Sequence, residues 1–103
     1  MHRPARVVPS SEARFRMLGD EAVLLDLTSA TYFGLNPVGS KFWQLIAADP
    51  SFENAHRLLL AEYEVEDAKL RSDLIALTER LREAGLASVE FDVSEDQSPS
   101  KVP

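Results

Sequence analysis

The stretch Thr28–Trp43, Thr-Ser-Ala-Thr-Tyr-Phe-Gly-Leu-Asn-Pro-Val-Gly-Ser-Lys-Phe-Trp, constrains the fold more than any other part of the chain. It reads as a turn, a short strand and the capped start of a helix, with almost no linker between them. Thr31, Tyr32 and Phe33 are β-branched or aromatic and suit a pleated, half-buried surface. Gly34 brings the backbone close to whatever lies beside it. Asn36 can accept a bond from an orphan amide of the first helical turn, and Pro37 wastes no donor at the first helical position. A strand joined almost directly to a helix is a rigid corner. The strand is the expected working part, and the rest of the chain holds it still.

Upstream, Ala13, Phe15 and Met17 alternate with Arg14 and Arg16, the period of a strand. Gly19-Asp20 fits a tight two-residue hairpin loop. In the next strand Val23, Leu25 and Leu27 share a face, and Thr28-Ser29-Ala30 turns the chain into the third strand, Thr31–Leu35. There Phe33 and Leu35 point one way, Tyr32 and Gly34 the other. The three strands make an antiparallel meander with the first and third at its edges.

Downstream, Val38, Phe42, Leu45 and Ile46 recur at helical spacing through Ala48, and Asp49-Pro50 stops that helix. Ser51 caps a second helix whose inner stripe is Phe52, Ala55, Leu58 and Leu59. Val65 and Leu70 are spaced as a hydrophobic staple around a third start near Glu66. Leu70, Leu74, Leu77 and Leu81 fall in a narrow arc, the core face of that helix. Gly85 suits the left-handed stop, with Leu86 folding back on Leu81. Ala87–Phe91 offers a short fourth strand. The expected organisation is a flexible arm over 1–12, one recognition domain over 13–91 and a disordered tail over 92–103. The fold class is α+β, a three-stranded antiparallel sheet packed on three helices, which is also the architecture of a winged helix-turn-helix.

A chain of 103 residues with 45% hydrophobic content fits one globular domain. No apolar run approaches the roughly 20 residues that cross a bilayer, and Met1–Arg6 has no apolar stretch behind it to make a secretory signal. With no cysteine, the cytoplasm is the default compartment. The net charge of −6 argues against a partner bound through phosphates, because such binding rests on cationic side chains displacing counterions. The third helix agrees: Lys69, Arg71, Arg80 and Arg82 are interspersed with Glu66, Asp67, Asp73, Glu79 and Glu83, as on a solvated face. Neither nucleic acid nor membrane is an expected partner.

Catalysis has little to stand on. His2 lies in the arm, and His56 lies one turn from Phe52 and Leu59, at the edge of a core stripe, without a second ligand or base at helical spacing. Ser29, Ser40, Ser51 and Ser72 have no visible histidine and carboxylate context, and Gly34 and Gly39 do not form a phosphate loop. No catalytic residue, metal or cofactor is expected. What remains is the edge strand. Thr31–Leu35 is apolar and uncharged, without proline, whereas proteins ordinarily blunt such an edge with lysine or a bulge. Either helix or tail covers it, or an extended peptide adds to it as a further strand. Ile75, the large apolar residue of the third helix outside the core arc, is a small second hint.

The residues carry a resemblance. Leu-Asp-Leu…Thr-Tyr-Phe-Gly-Leu-Asn-Pro-Val-Gly…Phe-Trp, then a capped helix ending near Tyr63, then Leu-x-x-Asp-Leu-x-x-Leu…Leu-x-x-x-Gly-Leu, is similar to the PqqD-like proteins from about Phe15 to Leu86. These are precursor-peptide recognition elements of ribosomally made, modified peptides. The resemblance implies a leader peptide held as an added strand, in the groove between the third strand and the third helix. By it, peptide binding falls to Thr31, Tyr32, Phe33, Gly34 and Leu35 on the strand, and to Leu70, Asp73, Leu74 and Leu77 on the helix. Leu25–Phe33 looks more like the stand-alone proteins of lasso-peptide pathways. The pyrroloquinoline-quinone members usually show a Pro-Glu-Gly stretch that this chain lacks. Implied partners are a precursor leader and the leader peptidase, or another modifying enzyme, that receives it. A monomer is expected, with self-pairing through the same edge and a DNA-binding winged helix as the competing readings.

Overall fold

The computed structural model describes residues 4–19 and 21–91. In chain order the elements are β1 Pro4–Pro9, β2 Ala13–Leu18, β3 Glu21–Asp26, β4 Thr31–Leu35, α1 Pro37–Ala48, α2 Phe52–Glu62, α3 Asp67–Glu83 and β5 Ala87–Phe91. Strands β2, β3 and β4 form the expected three-stranded antiparallel sheet in that order, and with the three helices they make the α+β fold. The strand called third from sequence is β4.

One expectation about the strands is corrected. The flexible arm placed over 1–12 contains β1, which pairs antiparallel with β5 through Val7↔Val89 and buries Val7 completely. Its other edge is held too, since the Val7 amide donates to the Pro50 carbonyl at 2.8 Å and Arg6 bridges to Ser51. The prolines of β1 stand at its two ends, Pro4 and Pro9, where a missing donor does least harm. Ala87–Phe91 is therefore a strand, but in a separate two-stranded ribbon rather than as a fourth member of the main sheet. The tail assigned to 92–103 lies outside the described residues.

The face shared by Val23, Leu25 and Leu27 is the outer one of β3. Ala22, Leu24 and Asp26 are buried, while Val23 and Leu25 are half-buried on the outer face and Leu27 is exposed. Asp26 explains the choice. Its carboxylate accepts from the Thr28 amide at 2.9 Å and from the Ser29 hydroxyl at 3.0 Å, so a buried charge is saturated by the turn it organises. The Ala30 amide donates to the Asp26 carbonyl at 2.7 Å, which fixes where β4 begins.

The helix ends follow the local code. Asn36 Oδ1 accepts from the Gly39 amide at 2.7 Å, and Ser51 Oγ accepts from the Asn54 amide at 3.1 Å. At the end of α3, Gly85 takes φ 77°, Leu86 N–H donates to Leu81 O and Gly85 N–H to Arg82 O. This is the expected Schellman closure. Phe42, Ile46, Phe52, Leu59, Leu74 and Leu81 form the centre of the core together with Leu24 from the sheet. Phe42 meets Phe52 edge to face, with ring centroids 6.0 Å apart. Leu58, expected on the inner stripe of α2, is exposed, and His56 takes the inward position.

Candidate functional site

Strand β4 pairs with β3 along one side only, and among the described residues no strand covers its other side. In such a strand alternate residues aim N–H and C=O away from the sheet, so β4 carries a row of unpaired donors and acceptors. The register puts Phe33 opposite Leu24 and Leu35 opposite Ala22, on the helix-facing side. Tyr32 and Gly34 lie on the outer face opposite Leu25 and Val23, and Tyr32 is 69% exposed.

Beside this edge stands α3, and between them runs a groove of about 420 Å³. Of the strand residues singled out from sequence, Gly34 and Leu35 line it; Thr31, Tyr32 and Phe33 continue the edge outside the lining. All the helix residues singled out, Leu70, Asp73, Leu74 and Leu77, line it. The three leucines are nearly inaccessible and belong to the core, so they form the floor. Asp73 is exposed at the rim, with Lys69 Nζ 3.2 Å from its carboxylate. Ile75 lies elsewhere: it is half-buried, packs on the core and takes no part in the groove.

Sequence reasoning missed Val38, Gly39, Val65, Lys69, Ala76 and Arg80, which also line the groove. A signal existed. Lys69, Asp73, Ala76 and Arg80 repeat the spacing of Leu70, Leu74, Leu77 and Leu81 one position earlier, so they form the neighbouring row of the helix surface. Gly39 is favoured by proximity: a Cβ there would sit 3.1 Å from Asn36 Oδ1 and 3.3 Å from Leu77 Cδ2. Its absence of a side chain lets α1 approach Leu77 of α3 closely beside the groove. Gly34 differs, since a Cβ there would meet nothing within 4 Å.

The charges around α3 are mostly engaged. Arg71 grips Glu53 of α2 through two bonds of 2.6 and 3.1 Å, and the hydrogen bond to that carboxylate raises the guanidinium above its ordinary pKa despite partial burial. Arg82 is raised in the same direction by its bond to Glu79. Arg80 stands over the Phe33 ring, 5.7 Å from its centroid. His56 is buried, stacks parallel to Phe52, and places Nε2 3.2 Å from Asp67 Oδ1 at the start of α3. It is a packing residue that ties two helices together. Among the described residues no group of three His, Cys, Asp or Glu side chains could hold a metal, and no helix is long and apolar enough to cross a membrane. The arrangement offers main-chain hydrogen bonds along one wall and an apolar floor beneath, with a mixed-charge rim. That chemistry suits an extended peptide.

Comparison with known proteins gives the same picture. The family described as coenzyme PQQ synthesis protein D (PqqD) matches residues 21–87. Two solved structures align at 32% and 30% sequence identity, with TM-scores of 0.74 and 0.72. Each alignment covers 82% of this chain and 99% of the other. The first is TbiB1 in complex with the TbiA(beta) leader peptide, and the second is lasso peptide synthetase B1 complexed with the leader peptide. No curated protein sequence matches the chain.

Proposed function

This chain belongs to the PqqD family, and from that premise we propose that it is a non-catalytic leader-peptide binding protein. It captures a ribosomal precursor by strand addition to β4 and presents it to a processing enzyme, in the biosynthesis of a lasso peptide. The observation that carries the proposal is the uncharged free edge Thr31–Leu35 standing beside an apolar groove. Similarity at 32% and 30% identity to two leader-bound structures supports it. Thr31, Tyr32, Phe33, Gly34 and Leu35 supply the ladder, Leu70, Leu74 and Leu77 the floor, and Asp73 the rim. Main-chain bonds are available to any sequence, so the floor does the discriminating between leaders. Several ladder bonds and a few apolar anchors, set against the ordering of a disordered leader, give an affinity between about one micromolar and tens of nanomolar.

The recognition domain expected over 13–91 takes in β1 as well, because Val7 is part of its core. The chain acts in the cytoplasm as a monomer, its partners being the precursor leader and a leader peptidase or another modifying enzyme of the pathway. A nucleic-acid reader is disfavoured by the pairing of Lys69, Arg71 and Arg82 with carboxylates. The family description favours one second reading, a peptide carrier of the pyrroloquinoline quinone type serving a radical enzyme. It uses the same groove and differs in the leader and the enzyme served. Amide shifts in a titration with the cognate precursor test the binding geometry. Residues 31–35 and the groove face of α3 are expected to move, and silence there with shifts elsewhere would sink the proposal.

A further inference from the structure

Within the leader-binding reading just given, on which this step rests, we propose that Arg80 is a specificity-determining residue that reads a carboxylate side chain of the bound peptide. Four cations stand on α3, and three have carboxylate partners: Lys69 with Asp73, Arg71 with Glu53 and Arg82 with Glu79. Among the described residues Arg80 has none. Its helical neighbours four positions away are Ala76 and Ala84, which cannot pair with it, and Glu83 makes no ion pair with it. The groove's acidic lining residue, Asp73, is already held by Lys69.

What Arg80 does have is position. It lines the groove, and its guanidinium lies over the ring of Phe33, a residue of the free edge strand. The ring holds the charge in place while leaving the N–H donors unused, and those donors form a planar fork that fits a carboxylate with two parallel bonds. Phe33 lies on the helix-facing side of β4. A guest residue level with Phe33 whose side chain points toward α3 therefore reaches this fork. An otherwise acidic protein with a net charge of −6 repels acidic peptides at long range, so a local reader of this kind makes an acidic residue acceptable at one register only.

The test uses a display library of random twelve-residue peptides, selected separately on the full chain and on its Arg80→Gln and Arg80→Lys variants. Arg80 is exposed, so both variants are expected to fold, which thermal unfolding checks. Binders of the unaltered chain should share Asp or Glu at one position, Arg80→Gln should lose that preference while keeping the apolar ones, and Arg80→Lys should keep part of it. For one selected peptide, replacing the shared Glu by Gln should weaken binding to the unaltered chain about tenfold or more, and to Arg80→Gln less than about twofold. An acidic preference equally strong on Arg80→Gln, or none on the unaltered chain, overturns the inference while the groove reading stands. If the folded, unaltered chain enriches no peptide that shifts residues 31–35, the groove reading falls and this inference with it.

Discussion

Strands β2 and β4 are the two outer strands of one sheet, yet they treat their free edges differently. β2 carries Arg14 and Arg16, both exposed, and the Arg14 guanidinium donates to the carbonyls of Ser11 and Ala13 at 2.8 and 3.2 Å. That is the charged edge expected of a protein that avoids pairing with other chains. β4 reads Thr-Tyr-Phe-Gly-Leu, has no charge and stands against the groove formed with α3. The difference teaches that an open edge becomes a binding site when two conditions coincide. It must be unguarded, and it must have a wall that selects which strand stays.

The largest test of that contrast is a proline scan of both edges. Thr31 and Phe33 share one amide direction and Tyr32 the other, so one set donates to β3 and the other to the guest. Proline in the outward set should weaken leader binding about tenfold to a hundredfold in calorimetric titration with the fold intact, whereas the inward set should unfold the sheet. Proline at Met17, an exposed position of β2 whose amide faces away from β3, should change affinity less than about threefold; an equal loss at both edges would break the comparison. Next in size is the wall. Leu74→Ala should cost about 2–5 kcal/mol in denaturant unfolding, because the side chain is core as well as floor.

Smaller effects sharpen the picture. Gly39→Ala forces a Cβ against Asn36 and Leu77 and should cost about 1–3 kcal/mol, while narrowing the groove. Gly34→Ala, with open space around the added methyl, should leave stability unchanged or raise it by about 0.4–1 kcal/mol. If the two alanine variants melted alike, the close approach at Gly39 would not be what shapes the groove. The smallest expected effect is that of Lys69→Ala, about 0.3–0.5 kcal/mol for an exposed i, i+4 pair, read by thermal unfolding.

Much of this was legible wherever the signal was local. The Asn36-Pro37 start, the leucine arc of α3 and its Gly85 stop are written within a few residues of where they act. The unlegible parts are the ones settled by distant contacts. β1 reads as a proline-bearing arm because its pairing partner, β5, lies at the far end of the chain. Which face of β3 is buried was not legible because Asp26, the least apolar residue of its face, goes inward and bonds to the following turn. In the groove, Leu70, Asp73, Leu74 and Leu77 were found through the family pattern. The row Lys69, Ala76 and Arg80 was overlooked because its mixture of charge and alanine resembles any solvated surface. Arg80 acquires meaning only once Phe33 is seen beneath it.

The pairing of Pro4 with Phe91 brings the two ends of the described chain side by side. The described residues thus form nearly a closed loop, and a short peptide joining Pro4 to Phe91 would let the backbone be opened elsewhere. Opening it between Leu18 and Glu21 would keep β3 to α3 in one continuous stretch, so a circularly permuted version should retain an undisturbed receptor cleft. The same geometry places Pro4 and Phe91 at one corner, formed by residues that do not border the cleft.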